Sequence, residues 1–178
     1  TNTIKEDPKR RGLLFAGTEN LTWFSLDDGD HWHALRLNMP AISIRDLIVK
    51  DDDLVVGTHG RGFWILDDIS ALRQWSAEAA TAAATLFKPA TSTRVRYSMY
   101  TDTPIPPDEP RAENPPDGAV IDYHLAREAR QVTLEILDGQ GAVMRAFTGE
   151  PPKKDGEGED EDRPRGPQTT VPMTAGMN

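Results

Sequence analysis

Residues 25–32 read Ser-Leu-Asp-Asp-Gly-Asp-His-Trp. Three carboxylates, a hydroxyl and an imidazole this close together could ligate a hard cation or move protons. The same residues could instead turn a corner. Ser25 and Asp27 carry oxygens that accept backbone N–H bonds inside a tight turn, and Gly29 adopts a positive φ at little cost. Trp32 can then lie over the hairpin. So dense a set of acceptors at one hairpin tip suits side-chain-to-backbone bonding, so we read Ser25, Asp27, Gly29 and Trp32 as structural and not as a catalytic or metal site.

Other residues offer chemistry more sparsely. "THGRG", residues 58–62, holds His59 and Arg61 between glycines. The glycines allow a ligand close to the backbone, and Arg61 can pair with a carboxylate or stack on a sugar. Equally, Gly60 and Gly62 can serve a tight turn while Arg61 bonds neighbouring carbonyls. His31, His33 and His124 have no metal-ligand spacing, and "DGEGEDED" lacks the EF-hand order of acids and glycine, so no metal is expected. No nucleophile elbow, phosphate loop or dinucleotide fingerprint occurs, and no cofactor is expected.

Composition narrows the class. The chain has 178 residues, 37% of them hydrophobic, which fits two small units better than one well-filled core. A net charge of −9 opposes phosphate neutralisation, so nucleic acid is not an expected partner. No apolar run approaches the roughly 20 residues that span a bilayer. With no cysteine, disulfides and thiolate sites are excluded and the compartment is left undecided. The opening "TNTIKEDP" carries neither an initiator Met nor a signal peptide, which suggests a piece of something longer.

The elements that position these residues come from an internal repeat. "LFAGTENLTWFSLDD" from Leu14 lies over "LVVGTHGRGFWILDD" from Leu54 at a constant offset of 40, without gaps. Leu, Gly-Thr and Leu-Asp-Asp coincide, and Trp23-Phe24 faces Phe63-Trp64. Each copy reads as strand, Gly-Thr turn, strand, acidic turn, with aromatic and β-branched strands between turn formers. We expect strands near 2–5, 13–17, 21–26 and 32–36, then 44–49, 53–58 and 62–66, with a fourth at 85–88. Four short strands per roughly 40 to 45 residues is the pattern of a β-propeller blade, whereas ankyrin and tetratricopeptide repeats need helical spacing that is absent. Two blades cannot close a ring, since propellers have about 4 to 8. The rest of a larger propeller is therefore an expected partner.

The Ser-x-Asp-x-Gly-x-x-Trp pattern at Ser25–Trp32 resembles the Asp box, or bacterial neuraminidase (BNR) repeat, with His31 where Thr is usual. "DPKRRGLLFAGTEN", "ISIRDLIV", "DLVVGTHGRGFWILDDI" and "LFKPA" extend the likeness to the last blades of bacterial proteins described as glycosyl hydrolases with BNR repeats. Those proteins are related to sortilin-type and xyloglucanase-like propellers. The resemblance implies that the box joins the third and fourth strands of a blade, opposite the ligand-binding mouth, and that "TEN" and "THGRG" lie on the mouth side. His59 and Arg61 then face the ligand surface. It also implies secretion or a periplasmic location. A glycoside hydrolase needs two carboxylates roughly 5 to 9.5 Å apart with one pKa raised. Asp46, on the inner strand of the second blade, is the one weak candidate; Asp27, Asp28, Asp67 and Asp68 fall on the wrong face. Trp23 and Trp64 are expected in inter-blade packing ahead of a sugar platform.

Beyond the blades, 69–84 could form a short helix or ordered loop with Ser70 as N-cap. Six prolines in residues 101–118 mark a linker, which we place at 91–116. "AVIDYHL" and "QVTLEILDGQGAVMRAF" alternate around a turn signal and begin an antiparallel β-sandwich of immunoglobulin or fibronectin type over 117–178, possessing a disordered acidic loop at 149–167. The fold class expected is all-β: two four-stranded propeller blades at 1–90, then a partial sandwich. The function expected is scaffolding and recognition of a glycan or peptide, without a complete active site. The alternatives are a segment of an active glycoside hydrolase whose acids lie mostly in other blades, and a sortilin-type peptide-binding propeller.

Overall fold

A computed structural model describes residues 1–93, 118–149 and 171–178. The expected linker, apart from residues 91–93, and the expected acidic loop, apart from Gly149, lie outside the described residues. Over the described residues the protein is all-β, built of small antiparallel sheets with two short helices. It divides into two units, residues 1–75 with 87–121, and 76–86 with 122–178.

The first sheet of the first unit has four strands in chain order, β1 (Thr3–Glu6), β2 (Leu14–Gly17), β3 (Thr22–Ser25) and β4 (His33–Leu35). The second has three, β5 (Ile44–Lys50), β6 (Asp53–Thr58) and β7 (Phe63–Leu66). Alternation along each strand gives each sheet two distinct faces. Phe15, Phe24 and Leu35 of the first sheet meet Leu47, Leu54, Val56, Trp64 and Leu66 of the second in one core, closed by Leu13, Met39 and Ile69. Gly17 is required where the sheets approach: a Cβ there would lie 2.6 Å from Ile44 Cγ2.

The ladders correct the repeat. Leu14 pairs with Ser25 and Gly17 with Thr22, whereas Leu54 pairs with Leu66 and Gly57 with Phe63. The loop 58–62 is therefore one residue longer than 18–21, and the offset becomes 41 in the third strand. Trp23 thus corresponds to Trp64, not to Phe63. The offset of 40 returns at Asp28 and Asp68, which share a left-handed backbone at φ 59° and 56°.

Two further expectations fail. The fourth strand of the second copy, placed at 85–88, forms as β8 (Ala84–Leu86), but it pairs with β9 (Tyr123–Leu125) in the other unit. Among the described residues the second sheet accordingly has three strands, because after Leu66 the chain turns into helix α1 (Ser70–Gln74) instead of returning along β7. Nor is Ser70 the N-cap. Ile69 holds that position, and Asp68 Oδ1 accepts the Ser70 N–H at 2.9 Å. Ser76 caps helix α2 (Ala77–Thr81) instead, its Oγ accepting from Ala79 N at 3.1 Å.

In the second unit β8 and β9 are joined by β12 (Gly176–Met177). The "DGQG" hairpin links β10 (Val132–Leu137) to β11 (Val143–Gly149), with Asp138 Oδ1 accepting the Gln140 and Ala142 N–H groups and Gly141 at φ 85°. Tyr123, Leu125 and Val171 form the core, packed by Val132, Leu134 and Phe147.

Candidate functional site

The Ser25–Trp32 segment connects β3 to β4. Ser25, fully buried, accepts the Gly29 N–H at 2.9 Å through Oγ and donates its hydroxyl to Asp27 Oδ1 at 2.8 Å. Asp27 Oδ1 also accepts the His31 N–H at 2.9 Å, and Oδ2 lies 2.6 Å from His31 Nδ1. Gly29 has φ 97°, and the Trp32 ring lies against its α-carbon, where a Cβ would be 3.6 Å from Cζ2. The Ser25 and Asp27 side chains are spent on closing the turn. The His31 contacts, first the backbone N–H and then the ring, bring Asp27 down to about 2, and Asp27 in turn raises His31. Among the described residues no three His, Asp or Glu side chains are grouped to hold a metal.

The opposite end of the sheets is built by loops 18–21, 36–43 and 58–62. Backbone bonds tie them together: Ile42 N to Asn20 O at 3.2 Å, Ile44 N to Thr18 O at 2.8 Å and His59 N to Ser43 O at 2.9 Å. Side chains reinforce this rim. Asn2 Nδ2 donates to Ile44 O at 2.8 Å and to Glu19 Oε1 at 3.0 Å, and Arg45 stands 3.8 Å from the same carboxylate. Sequence reading named Glu19 only as part of "TEN" and passed over Asn2 and Arg45, because the three are remote in the chain and no motif joins them.

His59 and Arg61 sit on the tip of the β6–β7 hairpin, which Thr58 closes by donating to Gly62 O through its hydroxyl at 2.8 Å and its N–H at 3.1 Å. Gly60 and Gly62 have φ 83° and 65°, so both glycines serve the turn, while the space around them is open. His59 and Arg61 are exposed, and among the described residues neither side chain has a hydrogen bond or ion pair. Arg61 therefore does not brace a neighbouring carbonyl there.

Asp46 lies on β5 beside β1. Its Oδ1 accepts the Leu47 N–H at 2.9 Å and the Thr3 hydroxyl at 3.0 Å, with Lys5 Nζ at 3.6 Å. The Leu47 N–H, then Thr3, hold this carboxyl below its usual range. A general acid needs the reverse. Among the described residues the carboxyl displaced upward is Asp67, by burial first and by Asp53 second, and it sits at the end that carries the Asp28 and Asp68 turns, away from the rim.

Trp64 packs in the core between the sheets, while Trp23 lies on the outer face of the first sheet, on the row of Ile4 and Ala16. A cavity of about 100 Å³ remains beside Trp64, lined by Thr22, Leu35, Met39, Leu54 and Val56. Among the described residues no helix is long and apolar enough to cross a membrane. Compared with known proteins, the chain matches no protein-family model, no curated protein and no solved structure.

Proposed function

We propose that residues 1–90 are two adjoining blades of a BNR-type β-propeller from an exported protein, followed by part of a sandwich domain, and that the segment recognises a ligand instead of turning one over. The observation that carries this reading is the pair His59 and Arg61. They project from a closed, glycine-permitted hairpin tip on the loop rim, with no structural partner among the described residues and Arg45 on the same end of the second sheet. A guanidinium and an imidazole beside open backbone suit a glycan or a peptide that presents a carboxylate. The hydrogen-bonded, anionic Asp46 favours binding over acid catalysis.

The test is a screen of acidic and neutral glycans and of carboxylate-bearing peptides against the purified chain, repeated with His59→Ala and Arg61→Ala. Saturable binding that falls at least tenfold in Arg61→Ala, with thermal unfolding unchanged, is the expected result. Binding untouched by both substitutions, or reproducible hydrolysis of an oligosaccharide, overturns the proposal.

A further inference from the structure

The two sheets of the first unit do not close completely on each other. Between β3–β4 and β6–β7 they leave the cavity of about 100 Å³ beside Trp64. Thr22, 1% exposed, lines it with an Oγ1 that has no hydrogen-bond partner among the described residues. Trp64 lines it too, and its Nε1 is likewise shut off from solvent without a partner there. A buried donor left unmatched is costly, and folded cores rarely keep two around one space. Both atoms belong to facing strands inside the unit, so the cavity does not depend on what adjoins the outer faces of the sheets.

What the cavity can hold follows from its wall. An indole N–H only donates and a hydroxyl donates or accepts, so the demand they share is an acceptor oxygen. The inner wall is apolar, with Met39, Leu54 and Val56 buried in the core. Water meets the first condition and not the second, since a buried water needs two to four polar partners and an apolar cavity stays dry. By liquid volume the space takes about three waters, or an organic molecule of about five or six heavy atoms. An ionised group is opposed there, because one N–H and one hydroxyl do not repay the desolvation of a charge. Arg36, which also lines the cavity, is exposed, as are Leu37 and Asn38 beside it, and these residues of the β4–β5 connection form the way in.

We propose that this cavity binds a small uncharged molecule, mostly hydrocarbon, whose carbonyl oxygen accepts the Trp64 indole N–H and the Thr22 hydroxyl proton. A carbonyl has two lone pairs and can serve both donors, and its hydrocarbon part meets Leu54 and Val56. The class is that of short ketones and esters. Such a molecule fits the folded unit and not the unfolded chain, so binding also raises stability. The site is separate from the His59–Arg61 tip, and the proposal rests on the cavity and its two unpartnered atoms, not on the recognition reading above.

The test is an NMR titration of the full, isotope-labelled chain with cyclopentanone, and with cyclopentane as its hydrocarbon counterpart, followed at the indole N–H signals. The signal of Trp64 is assigned through Val56, its ladder partner. Cyclopentanone should move that signal downfield to saturation, leave those of Trp23, Trp32 and Trp75 in place, and raise the unfolding temperature. Thr22→Val keeps the shape of the wall and removes one donor, so it should weaken cyclopentanone about tenfold while the affinity for cyclopentane holds. A Trp64 signal that does not respond overturns the inference. So does an equal effect of Thr22→Val on both probes, since the polar atoms then take no part, and so does a long-lived water at the indole N–H that persists at saturating cyclopentanone. His59→Ala and Arg61→Ala should leave cyclopentanone binding unchanged, which separates failure here from failure of the recognition reading; loss of binding in either variant would place the probe at the rim and overturn the assignment to the cavity.

Discussion

The guanidinium of Arg73, on helix α1, holds the wholly buried carboxylate of Asp7 at the end of β1, with Nη2 2.7 Å from Oδ1 and Nε 3.1 Å from Oδ2. Arg73 also donates to Asp52 Oδ1 and to Asp51 O in the β5–β6 turn. Asp7 in turn accepts the Lys9 and Arg10 N–H groups. One cation thus fastens the first sheet, the second sheet and the helix that replaces a fourth strand. Arg73→Met strands a buried carboxylate, and losing one partner of a buried pair costs about 3 kcal/mol or more. Urea unfolding of the variant should show that loss, with a further penalty for Asp7→Asn smaller than its effect in the wild type, since the two act on one interaction.

Gly17 and Gly57 occupy equivalent ladder positions yet face different neighbours. An added methyl at Gly17 comes within 2.6 Å of Ile44 Cγ2 and 2.9 Å of Thr3 Cγ2, while at Gly57 the nearest atom is the Asp46 carbonyl oxygen at 3.5 Å. Overpacking of this kind costs about 1 to 3 kcal/mol. Gly17→Ala should therefore lower the unfolding midpoint clearly and Gly57→Ala much less, as measured in parallel by thermal unfolding.

Thr22 Oγ1 is buried without a hydrogen-bond partner among the described residues, beside the cavity that Trp64 lines. Burying an unsatisfied hydroxyl costs about 1 kcal/mol or more, and Val matches its shape. Thr22→Val should raise stability in urea titration. A loss instead would mean that the hydroxyl is satisfied.

The Asp27–His31 contact predicts a pH window. His31 is raised above its ordinary 6.5, so its contribution is full below that value and is lost as pH climbs through the folded-state value. Asp27 is lowered from 3.8 to about 2, so its contribution is full above 3.8 and disappears as pH falls toward 2. The pair is strongest between these limits. An NMR titration should place the His31 midpoint above 6.5, and Asp27→Asn should return it toward 6.5. The stability difference between wild type and His31→Gln should be larger at pH 5 than at pH 9.

Strand positions were legible because they depend on alternation and turn formers, which are local. The expected spans at 44–49 and 53–58 differ from β5 and β6 by one residue at most. The Ser25–Trp32 turn was legible for the same reason: its donors and acceptors are its own neighbours. The register after the Gly-Thr turn was not. A one-residue change in a hairpin loop alters no local preference, yet it moves Trp64 to the core face and Phe63 to the open one. The Ser70 error has a similar origin: the chain forms two short helices there, the first starting after Ile69 with the Ser70 N–H given to Asp68, and only the second is capped by a serine, Ser76.

Composition and spacing by themselves determined that this chain forms short antiparallel strands, where most of them lie, and that the Ser25–Trp32 segment closes a turn. Those outcomes follow from interactions between residues a few positions apart. Only the tertiary structure decided that β8 pairs with β9 instead of joining the second sheet, that Asp46 is tied to Thr3, and that Arg73 reaches Asp7. Each of these joins residues dozens of positions apart, where the free energy resides in burial and charge pairing that no local pattern encodes.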